Sequence, residues 1–221
     1  MVSKLQLTGL AGIPRTTHAT VTERLKEAIL SGQIPAGARL IQAELAQALN
    51  VSVTPVREAL RELSTQGLVD MDAFRGAVVH TPTLTELEDI YEMRAALIPL
   101  SIKRGIAHIT NQELDQAEAL LRQMEAETEQ PRWVELNSRF HNLLDNPIRG
   151  SKLRDVLQRL SDLSAIYVNL SFAKVPFQKE AFEQEHRSIL NAYRQRNVEI
   201  ATALVLEHIN GTLEAAKKAI S

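Results

Sequence analysis

Val51-Ser52-Val53-Thr54-Pro55-Val56-Arg57-Glu58-Ala59-Leu60-Arg61-Glu62-Leu63 reads as a short helix with an unusual start. Thr54 suits the cap, where a side-chain oxygen accepts an otherwise unpaired N–H, and Pro55 suits the first helical position, where a missing N–H costs nothing. Val56, Ala59, Leu60 and Leu63 recur at helical spacing and mark a stripe turned inward. Arg57 and Arg61 stand four apart and project together from the other side. The hydroxyls of Ser52 and Thr54 at the helix start and two guanidinium groups beyond them suit phosphates and base edges. The same pattern also describes an ordinary solvated helix face, so the flanking sequence has to decide.

Upstream, residues 1–16 read as a flexible arm interrupted by Gly9, Gly12 and Pro14. A first helix follows, capped by Thr20 with Glu23 or beginning a few residues earlier, and striped by Val21, Leu25, Ala28 and Ile29. It stops near Gly32, and Pro35-Ala36-Gly37 turns the chain. A second, short helix turns Leu45, Ala46 and Leu49 inward and ends on Asn50, a good left-handed cap. The tight step from Asn50 to the opening helix, over 54–66, is helix-turn-helix spacing. Downstream, Leu68-Val69-Asp70-Met71 and Ala77-Val78-Val79-His80 predict a hairpin around Phe74-Arg75-Gly76. Three helices and a hairpin make a winged helix-turn-helix over residues 17–80, with Arg75 and Gly76 at the wing tip.

Bulk properties bound the function. The 221 residues are 44% hydrophobic but only 4% aromatic, and Ala, Leu, Glu, Gln and Arg are plentiful, which favours helix. There is no cysteine, which excludes a disulfide framework and thiolate metal sites and fits a cytoplasmic setting. No apolar run approaches a membrane span. Net charge is −2, and residues 1–80 hold eight Lys/Arg against seven Asp/Glu. Nucleic-acid binding must therefore rest on a local patch.

Residues 81–221, after the boundary at Thr81-Pro82-Thr83, predict an all-α antiparallel bundle of six helices. The first spans 84–105 with Leu87, Ile90, Tyr91, Leu97 and Ile98 inward, and Pro99 predicts a kink or break. Thr110 with Glu113 caps a second helix reaching about Thr128. A third runs from about Pro131 to before Asn146, a fourth from about Ile148 to Leu170, and a fifth from about Phe177 to Arg196. Asn197 caps the last. The predicted fold class is mainly α: a winged helix-turn-helix followed by a helical bundle.

Polar residues interrupt the inward stripes of that bundle. Asn137 and His141 lie four apart on or beside the stripe of Trp133, Leu136, Phe140 and Leu144. His186 falls among Phe182, Ile189, Leu190 and Tyr193, and His208 among Ala201, Leu204, Val205 and Thr212. Three inward histidines are costly without a shared partner, and a divalent transition metal is one. Spacing leaves a metal site and a set of hydrogen-bonded core histidines equally open. Arg94 lies on the stripe of Leu87, Tyr91 and Ile98, where a guanidinium needs an anion: an internal carboxylate, or the carboxylate of a ligand. His18, His80 and His108 read as surface or turn residues.

The stretch 51–60, with Gly37-Ala38-Arg39-Leu40 before it and Gly67-Leu68-Val69 after it, resembles the DNA-binding domain of GntR-family bacterial transcription regulators. The helical part resembles the fatty-acid-regulator type of effector domain, called FCD, in its metal-binding branch. The motifs are Tyr91-Glu92-Met93-Arg94, Asn137-Ser138-Arg139-Phe140-His141, Glu185-His186-Arg187-Ser188-Ile189-Leu190 and His208. The resemblance implies a homodimer on a palindromic DNA operator, with contacts from Arg39, Ser52, Thr54, Arg57, Arg61, Arg75 and Gly76. It implies one divalent transition metal per chain, zinc first and nickel second, held by Asn137, His141, His186 and His208. It implies a small organic acid as effector, bound at Arg94 and Tyr91, and repression as the mode of action. Val53 stands where the family often has arginine, Ile41-Gln42 where it often has Ser-Glu, Asn137 where it often has aspartate, and Ile98 where a glutamate is frequent. The expected protein is not an enzyme. The rival readings are a constitutive DNA-binding protein with a structural metal, and a metalloenzyme fused to a DNA-binding domain.

Overall fold

The computed structural model describes residues 18–72, 76–81, 83–145, 148–174 and 179–220. The chain divides after Pro82 into two compact units.

The first unit contains α1 (His18–Leu30), β1 (Arg39–Leu40), α2 (Gln42–Leu49), α3 (Val53–Thr65), β2 (Val69–Asp72) and β3 (Gly76–Val79). The stripes read from the sequence are its core. Val21, Leu25, Leu49, Val56, Ala59, Leu60 and Leu63 are fully buried, and each large aliphatic side chain removed from water contributes about 1.5–3 kcal/mol. α1 packs on α3, and α3 on both α2 and β2. Asn50 takes the left-handed conformation (φ 55°, ψ 46°) that lets α2 end and α3 begin three residues later. Two cap assignments need correction. α1 already includes residues 18–20, so Thr20 sits inside the helix rather than at its cap. α3 begins at Val53, which puts extended Ser52 at the cap position and Thr54 and Pro55 within the first turn. Pro55 is tolerated there because first-turn N–H groups have no intrahelical partner.

The predicted hairpin is present as β2 and β3, antiparallel with Val69 opposite Val79 and Asp72 opposite Gly76. A third strand joins it: β1 pairs antiparallel with β3, Arg39 opposite Val78, giving the order β1-β3-β2. Gly37 allows the approach. Its φ is +77°, and a Cβ there would meet Thr81 Oγ1 at 3.3 Å.

The second unit contains α4 (Leu84–Gly105), α5 (Asn111–Ala126), α6 (Gln130–Leu144), α7 (Lys152–Lys174), α8 (Lys179–Arg194) and α9 (Val198–Ile220). α4 lies against α7 and α9, α5 against α6 and α8, and α9 also against α7 and α8. Its core runs from Leu87 and Tyr91 through Trp133, Phe140 and Tyr167 to Tyr193 and Ala201. Thr110 and Glu113 form the predicted capping box, and Thr83 with Glu86 forms another at the head of α4. Asn197 Oδ1 accepts from Ile200 N at 2.9 Å, capping α9. α4 does not break at Pro99 but continues to Gly105; packing against two neighbours offsets one lost backbone hydrogen bond. α7 starts at Lys152 rather than near Ile148, because Gly150 (φ +76°) turns the chain and Ser151 Oγ accepts from Arg154 N. α8 ends at Arg194 rather than Arg196, which has left-handed backbone (φ 54°). Phe177 lies outside the described residues.

Candidate nucleic-acid interface and metal centre

In the first unit α3 buries its apolar stripe and leaves its opposite face bare. Ser52, Thr54, Arg57 and Arg61 are exposed, as are Arg39 on β1 and Gly76 at the start of β3. β1–β3 pairing ties Arg39 to the wing strand. Arg75 lies outside the described residues. Among the described residues no carboxylate pairs with Arg39, Arg57 or Arg61. The second unit differs: Arg122, Arg132, Arg187 and Arg194 on its surface are each held by an acid. Three unneutralised guanidiniums, two on the exposed face of α3 and one on β1, are groups of the kind that bind phosphates. Val53, at the first turn of α3, is 43% exposed and adds an apolar contact among those charges.

In the second unit the inward polar residues converge. α6 brings His141, α8 brings His186 and α9 brings His208, and one ring nitrogen of each lies within 4.8 Å of the others. The Nε2 atoms of His141 and His186 are 3.2 Å apart. The rings of His186 and His208 have centroids 4.6 Å apart. Aromatic residues wall the cluster: Phe140 lies edge-on to His186 at 5.2 Å, and Phe182 edge-on to His208 at 6.0 Å. Burial strips the rings of the water that would solvate a proton. The pKa values of His141 and His186 are held well below the ordinary 6.5, first by desolvation and then by neighbouring positive groups, Arg94 among them at His141. At neutral pH those two imidazoles are therefore uncharged, the form that ligates a metal.

The donor set fits a divalent ion. Asn137 precedes His141 by one helical turn, and its Oδ1 is buried without a hydrogen-bond partner. With Trp133, Phe182, His208 and Thr212 it lines a cavity of about 30 Å³ beside the cluster. An orphaned amide oxygen beside three nitrogens suits zinc or nickel. Sequence spacing therefore found all three histidines; their convergence is a property of the fold.

Arg94 points into the unit, as its stripe predicted. Its Nη1 donates to Ser164 Oγ at 3.0 Å, its Cζ stands 5.0 Å from the centroid of the Tyr91 ring, and its buried Nε has no partner. Among the described residues no carboxylate forms a contact ion pair with it; the buried Asp145 is the internal carboxylate whose charge reaches it through space. Tyr91 is buried beside Arg94 and Ser164, and that burial raises its pKa. Two acids carry no role in the sequence reading. Asp145, at the end of α6, accepts from Ser101 Oγ at 2.8 Å, and desolvation raises its pKa. Glu185, on α8, accepts from His208 Nδ1 at 2.7 Å. The sequence signals for Glu185 are its place directly before an inward histidine and in the Glu185-His186-Arg187 motif.

Comparison with known proteins agrees with the fold of both units. A family model described as bacterial regulatory proteins, gntR family, matches residues 17–79, and the FCD domain model matches residues 89–211. An uncharacterized HTH-type transcriptional regulator of Bacillus subtilis, YdhC, is 29% identical over 208 residues, covering 92% of both chains. The Nta operon transcriptional regulator of Aminobacter aminovorans is 29% identical over 177 residues, covering 78% of this chain and 81% of its own. Among solved structures, Escherichia coli McbR/YncC superposes with a TM-score of 0.85 at 19% identity, covering 94% of this chain and all of that one.

Proposed function

The chain belongs to the GntR family of bacterial regulatory proteins and carries its FCD domain, and from that premise we propose a metal-containing repressor released by a small carboxylate. Its coarse activity follows from membership: it is a DNA-binding transcription regulator and not an enzyme. No described helix is long and apolar enough to cross a membrane, and a cytoplasmic setting suits the task.

The first unit reads one half-site in the major groove with the N-terminal part of α3, while Arg39 and the wing hold the backbone. Two copies act together. Residues 1–80 carry one net positive charge, too little for one head to bind tightly, and a dimer raises the effective concentration of the second head. Two-fold symmetry makes the operator palindromic.

The observation that carries the effector half is the interior of the second unit. Three histidine nitrogens lie within 4.8 Å of one another, and Arg94 close by donates to Ser164 and forms no contact ion pair with an acid among the described residues. Asn137, His141, His186 and His208 would hold the ion, which supplies a Lewis-acidic position. Arg94 and Tyr91 would orient the carboxylate. An anion is favoured because the ion and Arg94 are both positive. Its binding biases the two DNA heads by a coupling of about 1–3 kcal/mol.

The test is a mobility shift with DNA from the gene's own neighbourhood. The wild-type protein shifts it selectively against competitor DNA, and Arg57→Ala does not. A panel of small carboxylates releases the wild type, whereas Arg94→Ala stays bound at the same concentrations. Non-selective binding by the wild type would overturn the regulator reading, and equal release of Arg94→Ala would remove Arg94 as the anchor.

A further inference from the structure

The four side chains assigned to the metal have one property in common: none is an anion. Asn137 is an amide, and His141, His186 and His208 are imidazoles, so none brings a negative charge to an ion. A divalent ion there would bring two positive charges into an interior that already contains the Arg94 guanidinium. Desolvated charge of one sign is unstable without a compensating anion. Among the described residues one carboxylate alone bonds to any of the three rings: Glu185, whose Oε2 is 2.7 Å from His208 Nδ1. No lysine or arginine among the described residues competes for it, whereas the next charged residue on α8, Arg187, is paired with Glu125.

We propose that Glu185 supplies the negative charge that the ligand set lacks, acting through His208 as a positioning and charge-compensating residue for the metal. The proposal rests on the metal reading above. The geometry gives it two effects. His208 Nδ1–H donates to the carboxylate, which leaves Nε2 as the ring nitrogen with a lone pair for an ion. The carboxylate also draws on that proton and makes Nε2 a stronger donor, as carboxylate partners of metal-bound histidines do. α8 thereby serves the site twice, through His186 directly and through its neighbour Glu185. Glu185 is partly open to solvent, with 43% of its side chain exposed, and reaches the buried ring of His208 from that edge.

Charge and position can be separated experimentally. Glutamine retains an oxygen that accepts from Nδ1–H and loses only the charge. Zinc affinity of the full-length protein, measured in competition with a chromophoric chelator, should weaken about 10- to 100-fold in Glu185→Gln. Adding Asn137→Asp to that variant places an anion directly on the metal and should restore affinity to the wild-type range. Far-UV circular dichroism checks that each variant is folded. Zinc binding by Glu185→Gln as tight as wild type would overturn the proposal. Weak binding that Asn137→Asp fails to restore would overturn the charge role and leave only orientation. If the wild type itself binds no zinc or nickel, the metal reading fails first, and that result is distinct from both.

Discussion

His186 is fully buried, with Trp133, Phe140, His141 and His208 around its ring. A core histidine in that position resists protonation, and the consequence appears in stability. The folded-state pKa of His141 and of His186 lies well below 6.5, while the unfolded chain titrates near 6.5. Above about pH 6.5 both states are neutral there and these residues contribute no pH dependence. Below it the unfolded chain gains protons that the folded protein refuses, so stability falls, by up to about 1.4 kcal/mol per pH unit for each ring. Chelator-treated protein should thus lose melting temperature steeply as pH drops from 6.5 toward 5. Replacing His186 with Gln should flatten that slope; an unchanged slope would place the titration elsewhere. At this scale the sequence was informative about direction and poor about partners. Period-3.6 spacing turned Arg94 and the three histidines inward. It gave no access to Ser164, which meets Arg94 across 70 residues of chain, or to Glu185, whose bond to His208 depends on how α8 lies on α9.

Elements were legible where their signal was long. α3, α5 and the six-helix count of the bundle follow from apolar stripes and capping boxes, which repeat over several turns. β1 escaped because two residues carry no period, and it exists through pairing with β3. Helix starts slipped by two to four residues at α1, α3 and α7, since Ser, Thr and Pro suit both a cap and a first turn. Asn50 is the case where local chemistry was sufficient. Its left-handed backbone sets the step from α2 to α3. Asn50→Val forces a β-branched residue into that region and should cost about 1–2 kcal/mol, read as a lower urea midpoint of the first unfolding step. Asn50→Gly should be tolerated, because glycine takes the same conformation freely. Equal losses in both variants would mean that the Asn side chain, not the backbone, holds the turn.

At the scale of the molecule the near-neutral charge limits how DNA can be gripped. A basic domain attracts DNA by its whole field, whereas this one offers a few guanidiniums that no acid neutralises: Arg39, Arg57 and Arg61 among the described residues. If Arg39 and Arg61 are the main phosphate contacts, a dimer neutralises about four phosphates, and log affinity should fall with log salt at a slope of about −4, from roughly −0.9 per phosphate on duplex DNA. Arg39 is assigned to the backbone, so Arg39→Ala on both protomers should weaken specific and non-specific DNA alike and make the slope less negative by about 2. Arg57 enters at the recognition helix and should instead cost selectivity. Titrations of the operator and of a scrambled duplex across a salt series separate the two. A wild-type slope near −10 would show that further cations engage DNA. An Arg39→Ala slope equal to wild type would remove Arg39 from the phosphate contacts.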